Sequence, residues 1–155
     1  MNILITGGAG FIGSHVGHHL ASEGHRIIVL DDFNDYYDPA IKRDNVRERL
    51  PGATVVEGDI RDKAAVRAAF AEKPAAVIHL AARAGVRPSI QDPELYLSTN
   101  LNGTFNILEA ARQHGVQDIV FASSSSVYGV NPKVPFAEDD LLQSTISPYA
   151  MTKLA

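Results

Sequence analysis

Two short motifs at opposite ends of the chain contain residues that could do chemistry together. Residues 7–13 read Gly-Gly-Ala-Gly-Phe-Ile-Gly, and Tyr149 and Lys153 stand four positions apart near the last residue. A glycine turn between a strand and a helix lets the backbone approach a pyrophosphate, to which the helix N-terminus presents N–H groups. A tyrosine and a lysine at positions i and i+4 share one helix face, where the ammonium favours a phenolate that can act as a base. The two motifs therefore indicate hydride transfer to a dinucleotide, coupled to removal of a hydroxyl proton.

These motifs need a scaffold that brings strand ends together, and the hydrophobic pattern predicts one. Five short apolar or β-branched runs alternate with helical segments, at residues 2–6, 26–31, 53–57, 75–81 and 117–123. Continuous apolar runs suit strands that are buried on both faces, and the spacing leaves room for crossover helices. We therefore expect an α/β fold, a doubly wound parallel sheet of the Rossmann type with strand order 3-2-1-4-5, whose ligand lies at the carboxyl ends of the strands.

Start and stop signals define the helices between these strands. Aspartates that can cap a helix N-terminus stand at Asp38, Asp62 and Asp92. In the first helix, apolar residues recur every four positions and predict one apolar stripe, at Ile12, Val16 and Leu20. The longest helix should run from Pro93 to about Gln113, and Ser147 with Pro148 should begin the helix that holds Tyr149.

Composition limits the class of protein. A chain of 155 residues with 45% apolar and 21% charged residues is expected to form one globular domain. The formal charge of -4 gives no reason to expect a basic groove for nucleic acid, and no apolar run approaches the ~18 residues that cross a bilayer. The chain contains no cysteine, which suits a reducing compartment. We therefore expect a cytoplasmic protein with neither nucleic-acid nor membrane partners.

The expected cofactor is NAD. Asp31 ends the second strand, where a carboxylate can accept hydrogen bonds from both hydroxyls of the adenosine ribose and would repel a 2′-phosphate. Asp32 could share this role or only cap the loop. Lys42 or Arg43 could fold back toward the acid and weaken the preference for NAD over NADP.

Other strand ends contribute side chains to the same edge of the sheet. Asp59 and Ile60 follow the third strand and should lie beside the adenine, although an ordinary junction of strand and loop explains Asp59 equally well. The small residues at 80–82 should form a wall of the ribose site. The fifth strand runs into four serines at 123–126, whose hydroxyls can bind a sugar hydroxyl and relay its proton toward Tyr149.

The order and spacing of these motifs resemble the extended short-chain dehydrogenase/reductase family, and within it the NAD-dependent nucleotide-sugar epimerases. The matching segments cover the whole chain and are the glycine turn, residues 58–62, residues 79–82, Asn100, residues 124–129 and residues 149–153. The resemblance implies that Tyr149 is the catalytic base, Lys153 its electrostatic support and Ser124 its hydroxyl partner. It also implies that Asn100 lies near the active site.

The candidate site follows from these motifs together. The expected cofactor contacts are Gly7, Gly10, Phe11, Ile12, Gly13, Asp31, Asp32, Asn34, Asp59, Ile60, Leu80, Ala81, Ala82, Asn100, Ser123, Tyr149 and Lys153. The expected substrate contacts are Arg87, Ser89, Ser125 and Ser126.

Within the family, residues 31–38 and 83–89 are similar to the UDP-glucuronate 4-epimerase branch. A guanidinium suits a carboxylate, so that Arg87 with Ser89 could hold the uronate group, although a solvated surface loop is an equal alternative. The implied reaction transfers hydride from C4 of the sugar to NAD+, rotates the 4-keto intermediate and returns hydride to the opposite face. Related dehydratases and decarboxylases carry a glutamate where this chain has Ser126, so epimerisation is preferred.

Several alternatives stay open. Full-length family members continue past this lysine into a substrate domain, so residues 1–155 are expected to be a Rossmann domain truncated before it, and the chain could be an NAD-binding module without significant turnover. A dehydratase, decarboxylase or reductase of the same family is the other alternative. By analogy with the family, a homodimer would pair the helices that begin at Pro93 and Ser147. A metal site is not expected, because the histidines at 15, 18, 19 and 25 lack the glutamate of a zinc motif.

Overall fold

The computed structural model describes residues 1–142 and 144–155, and the chain in it divides into two units. The sheet unit consists of residues 1–81 and 103–122. The helical unit consists of residues 82–102 and 123–155 and contains Tyr149 and Lys153.

The sheet unit contains five parallel strands in the order β3-β2-β1-β4-β5, as the sequence predicted. The strands are β1 (Asn2–Thr6), β2 (Arg26–Asp31), β3 (Thr54–Glu57), β4 (Ala76–His79) and β5 (Asp118–Phe121). Their register aligns the last residues: Thr6 of β1 lies opposite both Leu30 of β2 and His79 of β4. The carboxyl ends of the strands therefore form one edge, where the candidate cofactor residues of this unit lie.

Helices connect the strands and continue through the helical unit. The α-helices are α1 (Phe11–Ser22), α2 (Pro39–Arg49), α3 (Lys63–Ala71), α4 (Val86–Gln91), α5 (Pro93–Tyr96), α6 (Thr104–His114) and α7 (Pro148–Leu154). A π-helical segment, Leu97–Gly103, joins α5 to α6, and a 3₁₀ turn spans Ser125–Tyr128. The predicted helix from residue 93 to about 113 is thus one helical run, although its middle is more loosely wound than an α-helix.

The central strands β1, β2 and β4 pack into apolar clusters on both faces of the sheet, as continuous apolar runs predicted, whereas the edge strands do not. Val55 of β3 is 41% exposed and Val120 of β5 is 62% exposed. On one face Leu4, Ile28 and Leu30 pack with residues of α3 and α6, including Phe70 and Ile107. On the other face a second cluster comprises Ile3, Ile5, Ile27, Val29, Phe33 and Leu50, with Val16 and Leu20 of α1 packed against it. Alternate residues of β1, β2 and β4 therefore enter opposite clusters.

The predicted helix caps are confirmed by hydrogen bonds. Asp38 accepts from the Ala40 N–H, Asp62 from the Ala64 N–H, Asp92 from the Leu95 N–H, and Ser147 from the Ala150 N–H. Each of these side chains satisfies one of the N–H groups that a helix leaves without an acceptor in its first turn. The start of α7, and with it the position of Tyr149 on that helix, is therefore set locally by Ser147 and Pro148.

The structure corrects one expectation about the buried face of α1 and shows a helix in a segment for which the sequence left a surface loop open. Ile12 does not join the buried stripe of α1, because its side chain is 64% exposed, and the residues buried on that helix are Gly13, Ser14 and Gly17. A Cβ on Gly17 would stand 2.9 Å from Leu50, so small residues let α1 pack closely. The alternative of a plain surface loop over residues 83–89 is replaced by a helix, since α4 begins at Val86.

None of the helices in the described part of the chain combines the length and the apolar character that crossing a membrane requires.

We predict that Ile107→Ala destabilises the chain by about 2–5 kcal/mol, because Ile107 of α6 is fully buried in the core cluster against the sheet. The matched control is Ile41→Ala on α2, whose side chain is 53% exposed and should cost within about 0.5 kcal/mol. Urea unfolding followed by circular dichroism measures both. Similar losses in the two variants would contradict the assigned core.

Candidate functional site

The glycine turn joins β1 to α1 with backbone atoms packed against one another. Gly7 has a φ of 69°, in the left-handed region, and its carbonyl accepts a hydrogen bond from the Gly10 N–H. A Cβ on Gly7 would lie 2.8 Å from the Ala81 nitrogen, and one on Gly13 would meet the Gly7 carbonyl and lie 2.7 Å from the Gly8 Cα. These neighbours are backbone atoms that cannot rotate away, so larger residues would force the turn open.

The turn leaves the N-terminus of α1 free to bind an anion. Gly10 is the N-cap and provides no side chain to cap the helix, and the first turn contains no acidic residue. The first N–H groups of an α-helix have no acceptor within the helix and add to its positive dipole end. Phe11 and Ile12 are exposed in this turn. The arrangement suits a pyrophosphate at the place predicted from the sequence.

Asp31, at the end of β2, is buried and holds the glycine turn through hydrogen bonds of its carboxylate. Its Oδ2 accepts from the Ala9 N–H at 3.1 Å, and its Oδ1 accepts from the Phe33 N–H at 2.9 Å. Lys42 Nζ donates to the same Oδ1 at 3.2 Å and lies 3.6 Å from Asp32 Oδ1. Asp31 is therefore a structural anchor of the turn as well as the predicted ribose acceptor.

The cations that could have weakened the preference for NAD are already paired. The Lys42 side chain is 7% exposed and lies between Asp31 and Asp32, and Arg43 forms an ion pair with Glu57 at 3.0 Å. The Asp32 side chain is 29% exposed, against 4% for Asp31. The negative charge that would meet a 2′-phosphate is thus carried at the surface by Asp32. Asn34 donates to Asp32 and belongs to the same loop.

One face of α2 supports the turn, and sequence reasoning missed it. Asn45 Nδ2 donates to the Ala9 carbonyl at 3.0 Å, and Arg49 donates to Asn45 Oδ1 at 2.6 Å. Together with Asp31, Asn45 fixes both the N–H and the carbonyl of Ala9. The signal was present: Lys42, Asn45 and Arg49 are spaced three and four apart and therefore share one helix face.

The loop after β3 is held by contacts between its own residues and by hydrogen bonds from α6. Asp59 accepts from the backbone N–H of Arg61 at 2.7 Å and forms an ion pair with its guanidinium at 2.6 Å. Asn106 of α6 donates to the carbonyls of Ile60 and Arg61, both at 3.1 Å. Ile60 is buried in the core cluster, so its backbone is the part that can face a cofactor. Asp59 is already paired, and its contact with adenine stays a prediction.

In the helical unit, α7 carries the proposed base and its lysine. Tyr149 is half-buried, and its ring meets the ring of Tyr96 edge to face at a centroid distance of 6.2 Å. The Tyr96 hydroxyl donates to the Ala84 carbonyl at 2.6 Å. Lys153 is buried, and burial lowers the pKa of its ammonium from the ordinary value of 10.5. A cation in a poorly hydrated place acts more strongly on a neighbouring phenolate than an exposed one does.

Asn100 holds this helix in place. Its Oδ1 accepts from the Arg83 N–H at 2.8 Å, while its Nδ2 donates to the Arg83 carbonyl and to Thr152 Oγ1, both at 3.0 Å. Thr152 Oγ1 in turn donates to the Tyr149 carbonyl at 2.8 Å. Asn100 Nδ2 thus bonds to both Arg83 and Thr152, which supports a role in positioning α7, and its contact with the cofactor stays a prediction.

The serine run forms a capped turn. The Ser124 side chain accepts from the Ser126 N–H at 3.2 Å and donates to Ser126 Oγ at the same distance. Ser123 and Ser125 are exposed, whereas Ser124 and Ser126 are half-buried. Ser124 thus has its hydroxyl oriented by the backbone of the turn that it begins.

Arg87 and Ser89, which were predicted to hold a substrate carboxylate together, lie in different surroundings. Arg87 is exposed on α4, next to the half-buried Val86. Ser89 is fully buried, and its hydroxyl donates to the Val86 carbonyl at 2.6 Å. Ser89 therefore stabilises α4, and its contact with a substrate stays a prediction.

The histidines of α1 have ordinary local partners. His15 Nδ1 donates to the Phe11 carbonyl at 2.8 Å, and His19 lies 3.5 Å from Glu23. Within residues 1–142 and 144–155, no three histidine or acidic side chains are grouped so that they could hold a metal ion.

Comparison with known proteins agrees with this geometry. Residues 3–155 match the model of the NAD dependent epimerase/dehydratase family. The chain is 47% identical to UDP-glucuronate 4-epimerase 3 of Arabidopsis thaliana, covering 99% of this chain and 36% of that protein. It is 44% identical to a probable UDP-glucuronate 4-epimerase of Rhizobium meliloti, of which it covers 46%. The crystal structure of a Thermus thermophilus UDP-glucose 4-epimerase in complex with NAD superposes with a TM-score of 0.87 at 42% identity, over 99% of this chain and 47% of that one.

We predict that Lys42→Met costs about 3–5 kcal/mol of stability, because it leaves the buried Asp31 carboxylate without its cation. The matched control is Arg43→Met, the next residue on α2, whose pair with Glu57 is exposed and should contribute about 0–1 kcal/mol. The free energy of unfolding in urea near neutral pH decides between them. Equal losses would show that Lys42 is not a buried partner of Asp31.

We also predict that Lys153→Met is at least as stable as the parent near neutral pH, because the buried ammonium is unfavourable in the folded state. The lowered pKa means that the unfolded chain binds more protons than the folded chain between that pKa and 10.5. Stability of the parent should therefore rise relative to Lys153→Met as the pH increases through this window. Urea midpoints at several pH values test it, with the exposed Lys63→Met as control. A difference that does not change with pH contradicts it.

Proposed function

Because this chain belongs to the NAD dependent epimerase/dehydratase family, we propose that it provides the cofactor site and the catalytic tyrosine of a nucleotide-sugar 4-epimerase acting on UDP-glucuronate and UDP-galacturonate. The observation that carries the proposal is the capped helix α7, on which the buried Lys153 lies one turn from Tyr149 and which Asn100 anchors through Thr152.

NAD is the cofactor that the sheet unit fits. Its pyrophosphate would lie against the glycine turn and the free N–H groups of α1, with Gly7, Gly10 and Gly13 keeping side chains out of the way. Asp31 and Asp32 would accept the ribose hydroxyls, and the exposed charge of Asp32 disfavours a 2′-phosphate. NAD supplies the hydride acceptor and donor of the reaction when it is bound.

Tyr149 would take the proton of the sugar 4-hydroxyl as the carbon is oxidised and return it when the carbon is reduced. Lys153 would stabilise the phenolate during this step, since a buried ammonium is close in sequence and on the same helix face. Ser124 would bind the same hydroxyl through its Oγ, which the Ser126 N–H already orients. Ser126 gives no carboxyl group for the proton abstraction that a dehydratase needs, which favours epimerisation.

A uronate substrate is supported by the names of the sequence relatives and by Arg87. The relative of Arabidopsis thaliana is named UDP-glucuronate 4-epimerase 3 and that of Rhizobium meliloti probable UDP-glucuronate 4-epimerase, whereas the solved structure is a UDP-glucose 4-epimerase. Arg87 is exposed and could form a bidentate pair with a carboxylate. Ser125, also exposed, would be a further substrate contact.

The extent of the chain bears on its activity. It spans between 36% and 47% of the length of the relatives described above, so the residues that select the sugar could lie elsewhere in the whole protein. The second candidate function is therefore an NAD-binding module with little turnover of its own. We further infer a homodimer from the exposed Phe105 and Leu108 of α6. We infer a cytoplasmic location from the cysteine-free composition.

We predict that the 155-residue chain binds NAD in titration calorimetry and that Gly13→Ala abolishes or greatly weakens the binding, because the added methyl group meets the Gly7 carbonyl. The matched control is Gly52→Ala, where a Cβ would have no atom within 4 Å. Absence of NAD binding by the parent, or unchanged binding by Gly13→Ala, would contradict the cofactor site.

We expect weak or no interconversion of UDP-glucuronate and UDP-galacturonate by the same chain. A titration of UDP-glucuronate onto the NAD-saturated chain distinguishes the two candidate functions. Heat from the sugar nucleotide together with slow epimerisation that Tyr149→Phe removes supports the epimerase. NAD binding with no response to the sugar nucleotide supports the module.

A further inference from the structure

His79, the last residue of β4, is a buried polar residue with no part in the proposed chemistry. Its exposure is 2%, and its ring stacks on the ring of Phe121 at a centroid distance of 5.7 Å. Nδ1 lies 2.6 Å from Thr6 Oγ1, and Nε2 lies 2.9 Å from Thr104 Oγ1. A buried imidazole with a partner at each nitrogen is held in one orientation.

The hydrogen bonds around Thr6 assign a direction to this chain of groups. Thr6 Oγ1 accepts from the Ala81 N–H at 3.2 Å. The hydroxyl has one proton of its own, and His79 Nδ1 at 2.6 Å is the acceptor beside it. We assign this proton to the bond with Nδ1, which places the ring proton on Nε2 and makes Nε2 the donor to Thr104. The imidazole is thus the acceptor that turns the Thr6 oxygen toward Ala81.

The position of Ala81 matters because the glycine turn packs against it. The place of a Cβ on Gly7 is only 2.8 Å from the Ala81 nitrogen, so the two backbones are in contact. The neighbouring Leu80 N–H donates to the Thr6 carbonyl at 3.1 Å. Thr6 thus bonds two successive N–H groups after β4, one with its backbone and one with its hydroxyl.

We propose that His79 is a positioning residue of the cofactor site: by accepting the Thr6 proton, it fixes the Ala81 backbone against the glycine turn without touching the cofactor. The inference rests on the proposed NAD site, whose wall residues 80 and 81 form. Thr104 serves as the anchor at the far side of the ring and is not needed for the effect on Ala81.

Two conservative variants separate the two ends of the ring. His79→Asn keeps an amide oxygen near the position of Nδ1 and gives up the bond to Thr104, whereas His79→Gln reaches toward Thr104 and gives up the bond to Thr6. Each variant removes one of two buried hydrogen bonds, so their losses of stability should be similar. We expect the NAD dissociation constant to rise about tenfold in His79→Gln and to stay within about threefold of the parent in His79→Asn, in line with the net strength of one hydrogen bond. Calorimetry measures the constants. Affinity that follows stability equally in both variants overturns the proposal, because a merely structural role predicts that result.

Thr6 provides a second, independent pair, which decides the matter if a histidine variant fails to fold. Thr6→Val removes the hydroxyl at nearly constant shape, and Thr6→Ser keeps it. Hydrogen exchange of the Ala81 amide, followed by NMR, should be at least about tenfold faster in Thr6→Val and His79→Gln than in Thr6→Ser, His79→Asn and the parent. Unchanged Ala81 exchange in Thr6→Val overturns the proposal. This measurement needs no cofactor, so that failure of the parent to bind NAD would refute the proposed function while the Ala81 exchange still tests the role of His79.

Discussion

The close contact between the glycine turn and the end of β4 is the constraint around which the sheet unit is arranged. At Gly7 and Gly13 the neighbouring atoms are backbone atoms, so that the turn has no side chain that could rotate to relieve a misfit. A site that leaves so little space must have its backbone held from several directions. Asp31 accepts from the Ala9 N–H, and Asn45 donates to the Ala9 carbonyl. Thr6 Oγ1 accepts from the Ala81 N–H.

Holding the turn in this way requires polar groups in places where apolar side chains would be more stable. Asp31 and Lys42 are both buried, and a buried ion pair generally contributes less to stability than well-packed apolar residues of the same volume. Their value is geometric, since the pair fixes a carboxylate and leaves the charge of Asp32 at the surface. The apolar clusters on the two faces of the sheet supply the stability that these groups do not.

The helical unit shows the same relation between position and stability. The ammonium of Lys153 is buried, at the expense of the charged form, and Asn100 uses its whole amide group to join Arg83 to Thr152. Three of the side chains that orient α7 are polar: Ser147, Asn100 and Thr152. The helix that carries Tyr149 is thus held by hydrogen bonds at its N-terminus and along one face.

The amino-acid sequence by itself determined the five strands, their order in the sheet and the capped starts of four helices. These depend on short-range patterns: runs of apolar residues for the strands, aspartate or serine before a helix, and glycines that no other residue could replace. The sequence also identified Asp31 and the pair of Tyr149 and Lys153 as candidate site residues, because their positions follow from the strand end and from the helical period.

Only the tertiary structure decided which of the predicted site residues already have bonding partners within the protein. Lys42 pairs with Asp31, Arg61 closes on Asp59, Ser89 turns into its own helix, and Asn100 spends its amide on Arg83 and Thr152. These partners are brought together by the packing of separate elements or by side-chain directions, which residue type and spacing alone left undecided. The burial of His79 between Thr6 and Thr104, residues 73 and 25 positions away, is of the same kind.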